Sequence, residues 1–202
     1  MPNPNFDLYE KLIEMDIPVV FFNGYYPSLR GTYSVCADNQ AGGAELVRHL
    51  IERGHTKIAG FFKSDDIQGH QRYSGFIRNG LIIPDENVFW YITETKEELF
   101  NNPQEVLNRL GDNTAVVCYN DEVAFGLIKC LLSAGRRVPE DVAVVSFDNS
   151  NLSRISPVTI TSLSYEDRNI GRIAAQKLVD ILNGKEVTSE VLPWTFIQKE
   201  SS

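Results

Sequence analysis

With 202 residues, 43% of them hydrophobic, the chain can bury a sizeable core and is long enough for one large domain or two small lobes. Its 19 Lys and Arg against 27 Asp and Glu give a formal charge of −8. That argues against a phosphate-binding surface on this chain, because nucleic-acid affinity comes largely from basic side chains neutralising phosphates. No run approaches the roughly 18 to 20 apolar residues of a membrane span, and the start lacks the basic-then-apolar order of a secretory signal.

Cys36, Cys118 and Cys130 are odd in number, widely spaced and set among apolar neighbours. They read as reduced, buried thiols of a cytoplasmic protein rather than a disulfide framework. His49, His55 and His70 form no His-x-x-His pattern and the cysteines no Cys-x-x-Cys pattern, so neither a metal nor a cofactor is expected.

Taken in order, Phe6 to Met15 places Leu8, Leu12 and Ile13 on one helical face, and Ile17 to Phe22 follows as an inner strand ending at Asn23. A second strand, Tyr33 to Ala37, ends at Asp38-Asn39. The helix from Gln40 to Arg53 then packs Ala44, Leu46, Val47, Leu50 and Ile51 and stops at Gly54, the expected left-handed terminator. Lys57 to Phe62 is the next strand, followed by the polar loop from Lys63 to Gly69 and a helix carrying Arg72, Tyr73, Phe76 and Ile77. Val88 to Ile92 is a strand and Lys96 to Leu110 a helix.

The stretch from Thr114 to Leu131 runs the apolar block Ala115-Val116-Val117-Cys118 through Tyr119-Asn120-Asp121 into a helical face of Val123, Ala124, Leu127, Ile128 and Leu131. This is a buried strand feeding a helix. Either Asn120 or Asp121 can cap that helix. In an open parallel sheet the same junction lies at the carboxyl edge of the strands, where small ligands bind, and the two roles are compatible. Beyond Gly135, Val142 to Phe147 is a strand ending at Asp148-Asn149 and Ile160 to Leu163 a short strand. Glu166 to Asn183 is a helix stopped by Gly184, and Val191 to Ile197 is a closing strand.

Strands and helices alternate over short connections, which predicts an α/β fold of mostly parallel sheets with flanking helices and right-handed crossovers. No Gly-x-Ser-x-Gly elbow, phosphate loop or nucleophile with a base at motif spacing is present, so no catalytic residue is expected. The pairs Asp65-Asp66 and Asp121-Glu122 read as solvated loop charge and first-turn helix charge.

Four signatures stand in one order. They are Asp38-Asn39-x-x-Gly42 leading to His49-Leu50-Ile51-Glu52-Arg53-Gly54-His55, then Arg72-x-x-Gly75-Phe76, then Cys118-Tyr119-Asn120-Asp121-x-x-Ala124, then Val138-Pro139-Glu140-Asp141-Val142-x-Val144-Val145-Ser146-Phe147-Asp148. With them the chain resembles the lactose and galactose repressor family of sugar- and purine-responsive regulators. The loop from Phe62 to Gly69 and the phrase Cys118 to Glu122 look most like its arabinose-responsive members.

The resemblance implies two lobes of the periplasmic-binding-protein fold, joined by three crossings, with an effector held in the cleft. It implies a partial first lobe made of residues 1–37 and 165–189, a second lobe made of residues 38–162 and 190–202, and a DNA-binding head and part of the first lobe lying upstream. It also implies a pentose effector, L-arabinose above others, and a homodimer formed through second-lobe helices such as Asp121 to Ala134 and the segment from Asn149 to Ile155. Operator DNA is then reached only through the head, and no membrane is involved. The same fold serves as the sugar-binding protein of transporters, which is the alternative reading; a small α/β enzyme is a third.

A sugar presents hydroxyls around a ring, so its site needs fixed donors and acceptors at several strand ends and an apolar face. By the resemblance, Arg72 reaches ring or anomeric oxygens, its rigid five-donor fork suiting paired hydroxyls. Asn120 and Asp148 bind hydroxyls at the carboxyl ends of two strands, capping being their other reading, and Asn23 ends the corresponding first-lobe strand. Gln68 precedes Arg72 by one helical turn and faces the same cleft. Lys63 and Asp66 reach it from a loop that departs from the family's commoner glycine-proline loop. Tyr165 lines the cleft after a crossing strand, and Tyr119 or Phe22 stacks on the sugar face, core packing being the preferred reading for Phe22. Thr93 and Glu94 lie near a position that closes over the ligand in relatives.

Overall fold

The computed structural model describes residues 6–78, 80–165 and 169–202. In chain order the elements begin with α1 (Phe6–Glu14), β1 (Val19–Phe22), β2 (Thr32–Ala37), α2 (Asn39–Glu52), β3 (Ile58–Lys63) and α3 (Ile67–Ile77). They continue with β4 (Val88–Tyr91), α4 (Pro103–Leu110), β5 (Ala115–Cys118), α5 (Asp121–Ser133), β6 (Ala143–Phe147) and α6 (Asn151–Ile155). The last are β7 (Thr161–Ser164), α7 (Ile170–Leu182), β8 (Glu190–Leu192) and β9 (Thr195–Ile197). Two compact units result, Met1–Asp38 with Tyr165–Pro193 and Asn39–Ser164 with Trp194–Ser202.

The first unit is a parallel three-stranded sheet in the order β1-β2-β8, with Val19 opposite Thr32 and Val35 opposite Glu190. Because side chains alternate across a strand, Phe21 and Phe22 point to opposite faces. Phe21 meets Tyr9 of α1 edge-on at 5.0 Å, whereas Phe22 is 60% exposed, which corrects the expectation that Phe22 belongs to the core. Of the helix expected from Glu166, residues 166–168 lie outside the described residues; α7 begins at Ile170, where Asn169 caps it by accepting from the amide of Arg172 at 2.9 Å.

The second unit is a six-stranded sheet in the order β4-β3-β5-β6-β7-β9, parallel except for β9. Strands β3, β5 and β6 are mostly apolar because both faces of the sheet are covered, whereas β7, Thr161-Ser162-Leu163-Ser164, is mostly polar yet buried. Ala59, Phe61, Val116, Cys118 and Val144 pack with Val106 and Leu110 of α4 and with Val123, Leu127 and Leu131 of α5. Ile58, Phe62, Val117, Val145 and Phe147 pack on the other face with Leu46, Val47 and Leu50 of α2 and Phe76 of α3. All three cysteines are free and buried.

Two elements differ from the expectation of the pattern. The helix read as Lys96 to Leu110 is a 3-10 segment, Thr93–Glu98, followed by α4. Pro103 cannot donate to a preceding turn and keeps residue 102 extended, so Asn102 caps α4 instead, accepting from the amide of Glu105 at 3.3 Å. The closing strand from Val191 to Ile197 is split by Pro193: β8 extends the first sheet beside β2, and β9 joins the second sheet antiparallel to β7.

Candidate functional site

Four parallel strands of the second unit, β3, β5, β6 and β7, deliver their following residues to one carboxyl edge, where the helices start. Helix α3 is pressed onto α2 there through two glycines. A methyl group on Gly75 would run into the carbonyl oxygen of Gln40, and one on Gly43 into that of Arg72. That close approach sets Arg72 of α3 beside Asn39 of α2.

Arg72 is 1% exposed. Its Nε donates to Asn39 Oδ1 at 3.0 Å, its Nη1 to the carbonyl oxygen of Tyr119, and its Nη2 to Gln68 Oε1 at 3.2 Å and Asp148 Oδ1 at 3.1 Å. The guanidinium carbon also lies 4.3 Å from the Phe147 ring centre, 4.7 Å from that of Tyr119 and 5.6 Å from that of Trp194, an aromatic cage that favours a cation. A buried charge needs both pairing and hydrogen bonds, and Arg72 has both. Asp148 is held above the ordinary carboxylate range by the protein crowded around it, with Arg72 pulling the other way.

A second cluster joins this one through Tyr119. Its hydroxyl donates to Asp66 Oδ2 at 2.6 Å, and burial pushes the phenol up. The other oxygen of Asp66 caps α3 by accepting from the amide of Gly69 at 2.6 Å. Lys63 Nζ stands 3.2 Å from Asp66 Oδ2 and 3.7 Å from Asp65 Oδ1. Asp65 in turn accepts from the hydroxyl and the amide of Thr93, at 2.6 Å and 3.0 Å. Burial works against its charge, but these bonds and Lys63 hold it below its ordinary value. Neither carboxylate of the 65–66 pair is therefore the free solvated charge that the sequence suggested.

Lys63, Asp66, Gln68, Arg72, Tyr119 and Asp148 thus form one connected set of side chains. Asn120 stands at the same edge, but its Oδ1 accepts from the amide of Val123 at 3.1 Å and caps α5. Asn23 and Tyr165 belong to the first unit. There Asn23 ends β1 with a left-handed backbone, φ +58°, and its Oδ1 is enclosed without a donor among the described residues. Tyr165 is half-buried. Among the described residues no group of His, Cys, Asp and Glu is arranged to hold a metal ion.

Three participants escaped the pattern. Asn39 and Trp194 bracket Arg72; Asn39 stands in the first signature without a site role, and only its place after a proline could have flagged Trp194. Asp121 read as first-turn helix charge or a cap; it does start α5, but it is 1% exposed and accepts from the Ser146 hydroxyl, from Ser162 Oγ at 2.7 Å and from the amide of Ser150 at 2.5 Å.

The model of the periplasmic binding protein-like domain matches residues 47–202. The chain is 35% identical over 191 residues to the arabinose metabolism transcriptional repressor of Halalkalibacterium halodurans, a match covering 90% of this chain and 50% of that protein. It therefore spans about half the length of that curated relative. Among solved structures, the transcriptional regulator CelR in complex with cellobiose is 29% identical, with a TM-score of 0.87 over 96% of this chain and 62% of that one. A LacI family transcriptional regulator from Enterococcus faecium with bound ribose is 26% identical, with a TM-score of 0.83 over 96% of this chain and 74% of that one. No described helix is long and apolar enough to cross a membrane. By its domain match, the chain belongs to the periplasmic binding protein-like domain family, with regulators of the lactose repressor type as its structural neighbours.

Proposed function

We propose that this chain is the effector-binding part of a transcriptional repressor that senses a neutral sugar, a pentose and L-arabinose first among them. The observation that carries the reading is the state of the cations at the carboxyl edge of the second sheet. Arg72 is paired with Asp148 and Lys63 with Asp65 and Asp66. Two cations against three carboxylates leave little attraction for a phosphorylated sugar, while amide, carboxylate and guanidinium groups in one set suit hydroxyls that both donate and accept. The names of the arabinose repressor and of the ribose-bound regulator support a pentose.

Asp148 and Gln68 then accept from sugar hydroxyls, Arg72 donates to a ring or anomeric oxygen, and Lys63, Asn120 and the Tyr119 ring complete the second-lobe side. Asn23 and Tyr165 are further ligand-binding candidates within the first unit, where Asn23 Oδ1 lacks a donor among the described residues. The chain acts as a homodimer in the cytoplasm and reaches operator DNA through a separate head. Sugar binding shifts the equilibrium between two lobe arrangements by its differential affinity for them.

Calorimetry with L-arabinose, D-ribose, D-xylose, D-glucose and D-ribose 5-phosphate tests this. The expected order places a neutral pentose first and the phosphate ester last; preference for the ester contradicts the reading.

A further inference from the structure

Asp121 is the first residue of α5, yet α5 does not need it as a cap, because Asn120 fills that role. A carboxylate with 1% exposure is costly to keep unless something depends on its acceptors. All three of its hydrogen bonds leave the helix. They run to Ser146 of β6, to Ser162 of β7 and to the backbone of Ser150. Ser146 and Ser162 are register partners in the sheet, and Ser162 Oγ also accepts from the amide of Asn149 at 3.0 Å.

What lies above this network is the turn after β6. Asp148 and Asn149 both have left-handed backbones, φ +95° and +45°, a conformation that L residues hold only when neighbours fix it. The far side of the turn is fixed too. Lys199 Nζ donates to Asn149 Oδ1 at 2.6 Å, Ser153 Oγ at 2.8 Å and the carbonyl oxygen of Ile160 at 3.0 Å. The turn is thus clamped by a buried carboxylate beneath it and an ammonium beside it.

We infer that Asp121 is a positioning residue: through Ser162 and the amide of Ser150 it fixes the left-handed turn that presents Asp148 to Arg72. Its meaning for sugar recognition rests on the reading proposed above, but the geometry can be tested without a sugar. Asp148 keeps its contact with Arg72 only while the turn holds its shape. Loosening the turn therefore frees the amides of residues 149 and 150 and alters the guanidinium of Arg72, to which neither Asp121 nor Ser162 is bonded.

The test uses nitrogen-15-labelled chain with Asp121→Asn, Ser162→Ala and Asp148→Asn. Hydrogen exchange is followed at Asn149 and Ser150, and the side-chain nitrogen resonances of Arg72 are recorded. Asp148→Asn supplies the Arg72 resonances expected when the carboxylate is lost. The expected result is at least tenfold faster exchange at the two amides, unchanged protection in β3 and β5, and Arg72 resonances displaced toward the Asp148→Asn positions. Ser162→Ala carries the test if Asp121→Asn does not fold. Exchange that speeds up evenly through the second unit, or Arg72 resonances that stay in place, overturns the inference and leaves Asp121 as a core residue only. Because no sugar is present, a failed sugar titration beside a positive result here strikes the proposed function alone.

Discussion

Arg72 Nη2 and Asp148 Oδ1 are 3.1 Å apart, and the pair joins a side chain that is 2% exposed to one that is 34% exposed. The cation is thus fixed, while about a third of the Asp148 side chain remains exposed. Such asymmetry suits recognition: the buried partner is already desolvated and held by Asn39, Gln68 and the carbonyl of Tyr119, so little ordering remains when a ligand arrives.

Removing the guanidinium leaves Asp148 without its cation and the carbonyl of Tyr119 without its donor. Arg72→Met is expected to destabilise the second unit by about 2–4 kcal/mol, less than the upper range for a fully buried pair because Asp148 is partly hydrated. Arg72→Lys does not restore it, since an ammonium lacks the planar fork that serves three directions at once. Urea unfolding of the three proteins checks this, and a loss in Arg72→Met within measurement error counts against it.

Asp66 caps α3, receives the Tyr119 hydroxyl and pairs with Lys63. Asp66→Ala is expected to cost about 2 kcal/mol, from the cap and from the charge-assisted bond together. Tyr119→Phe should cost less than Asp66→Ala. In a double-mutant cycle the two substitutions should couple by about 1 kcal/mol; strict additivity would show that the hydroxyl and the carboxylate do not act on each other.

The junction of α2 and α3 has no room for a β-carbon at Gly75. Gly75→Ala should destabilise by about 1–3 kcal/mol through overpacking. It should also move the Arg72 side-chain resonances, because Asn39 and Arg72 are set by the approach of these helices. Gly54→Ala also costs stability, since its φ is +89°, but it faces open space and should leave those resonances alone. Comparing the two spectra separates a local turn cost from a displaced site.

His49 provides a pH signature. Burial, then the neighbouring Arg53, lowers its folded-state value from 6.5 to about 4. Between those values the unfolded chain binds more protons than the folded one, so stability falls as pH drops from about 6.5 toward 4. His49→Gln should flatten that part of the profile. A profile unchanged by the substitution would place the sensitivity elsewhere.

Much of this was legible before any coordinates. Strands β3, β5 and β6 are mostly apolar runs that lead into polar residues, and that pattern locates these three strands and their carboxyl edge. Arg72 and Asp148, 76 positions apart in the chain, were singled out by motif and prove to be bonded. What escaped has physical causes. Pro103 and Pro193 outweighed periodicity by removing amide donors, which cut one helix and divided one strand between two sheets. Phe22 and Phe21 are indistinguishable in hydrophobicity, and only the pleat decides that Phe21 is half-buried and Phe22 exposed. Asp121 read only as first-turn helix charge or a cap, because nothing local reveals that Ser146 and Ser162, 25 and 41 positions away, converge on it.

The central claim is that the connected side chains at this edge recognise a neutral sugar, and a chemical-shift titration of labelled chain with L-arabinose tests it most directly. A dissociation constant on the order of 1 mM, about −4 kcal/mol, is within reach of that measurement. The account predicts saturable shifts centred on Lys63, Gln68, Arg72, Tyr119 and Asp148 that Arg72→Ala weakens at least tenfold. Shifts centred elsewhere in the second unit, or the same affinity in Arg72→Ala, would contradict it.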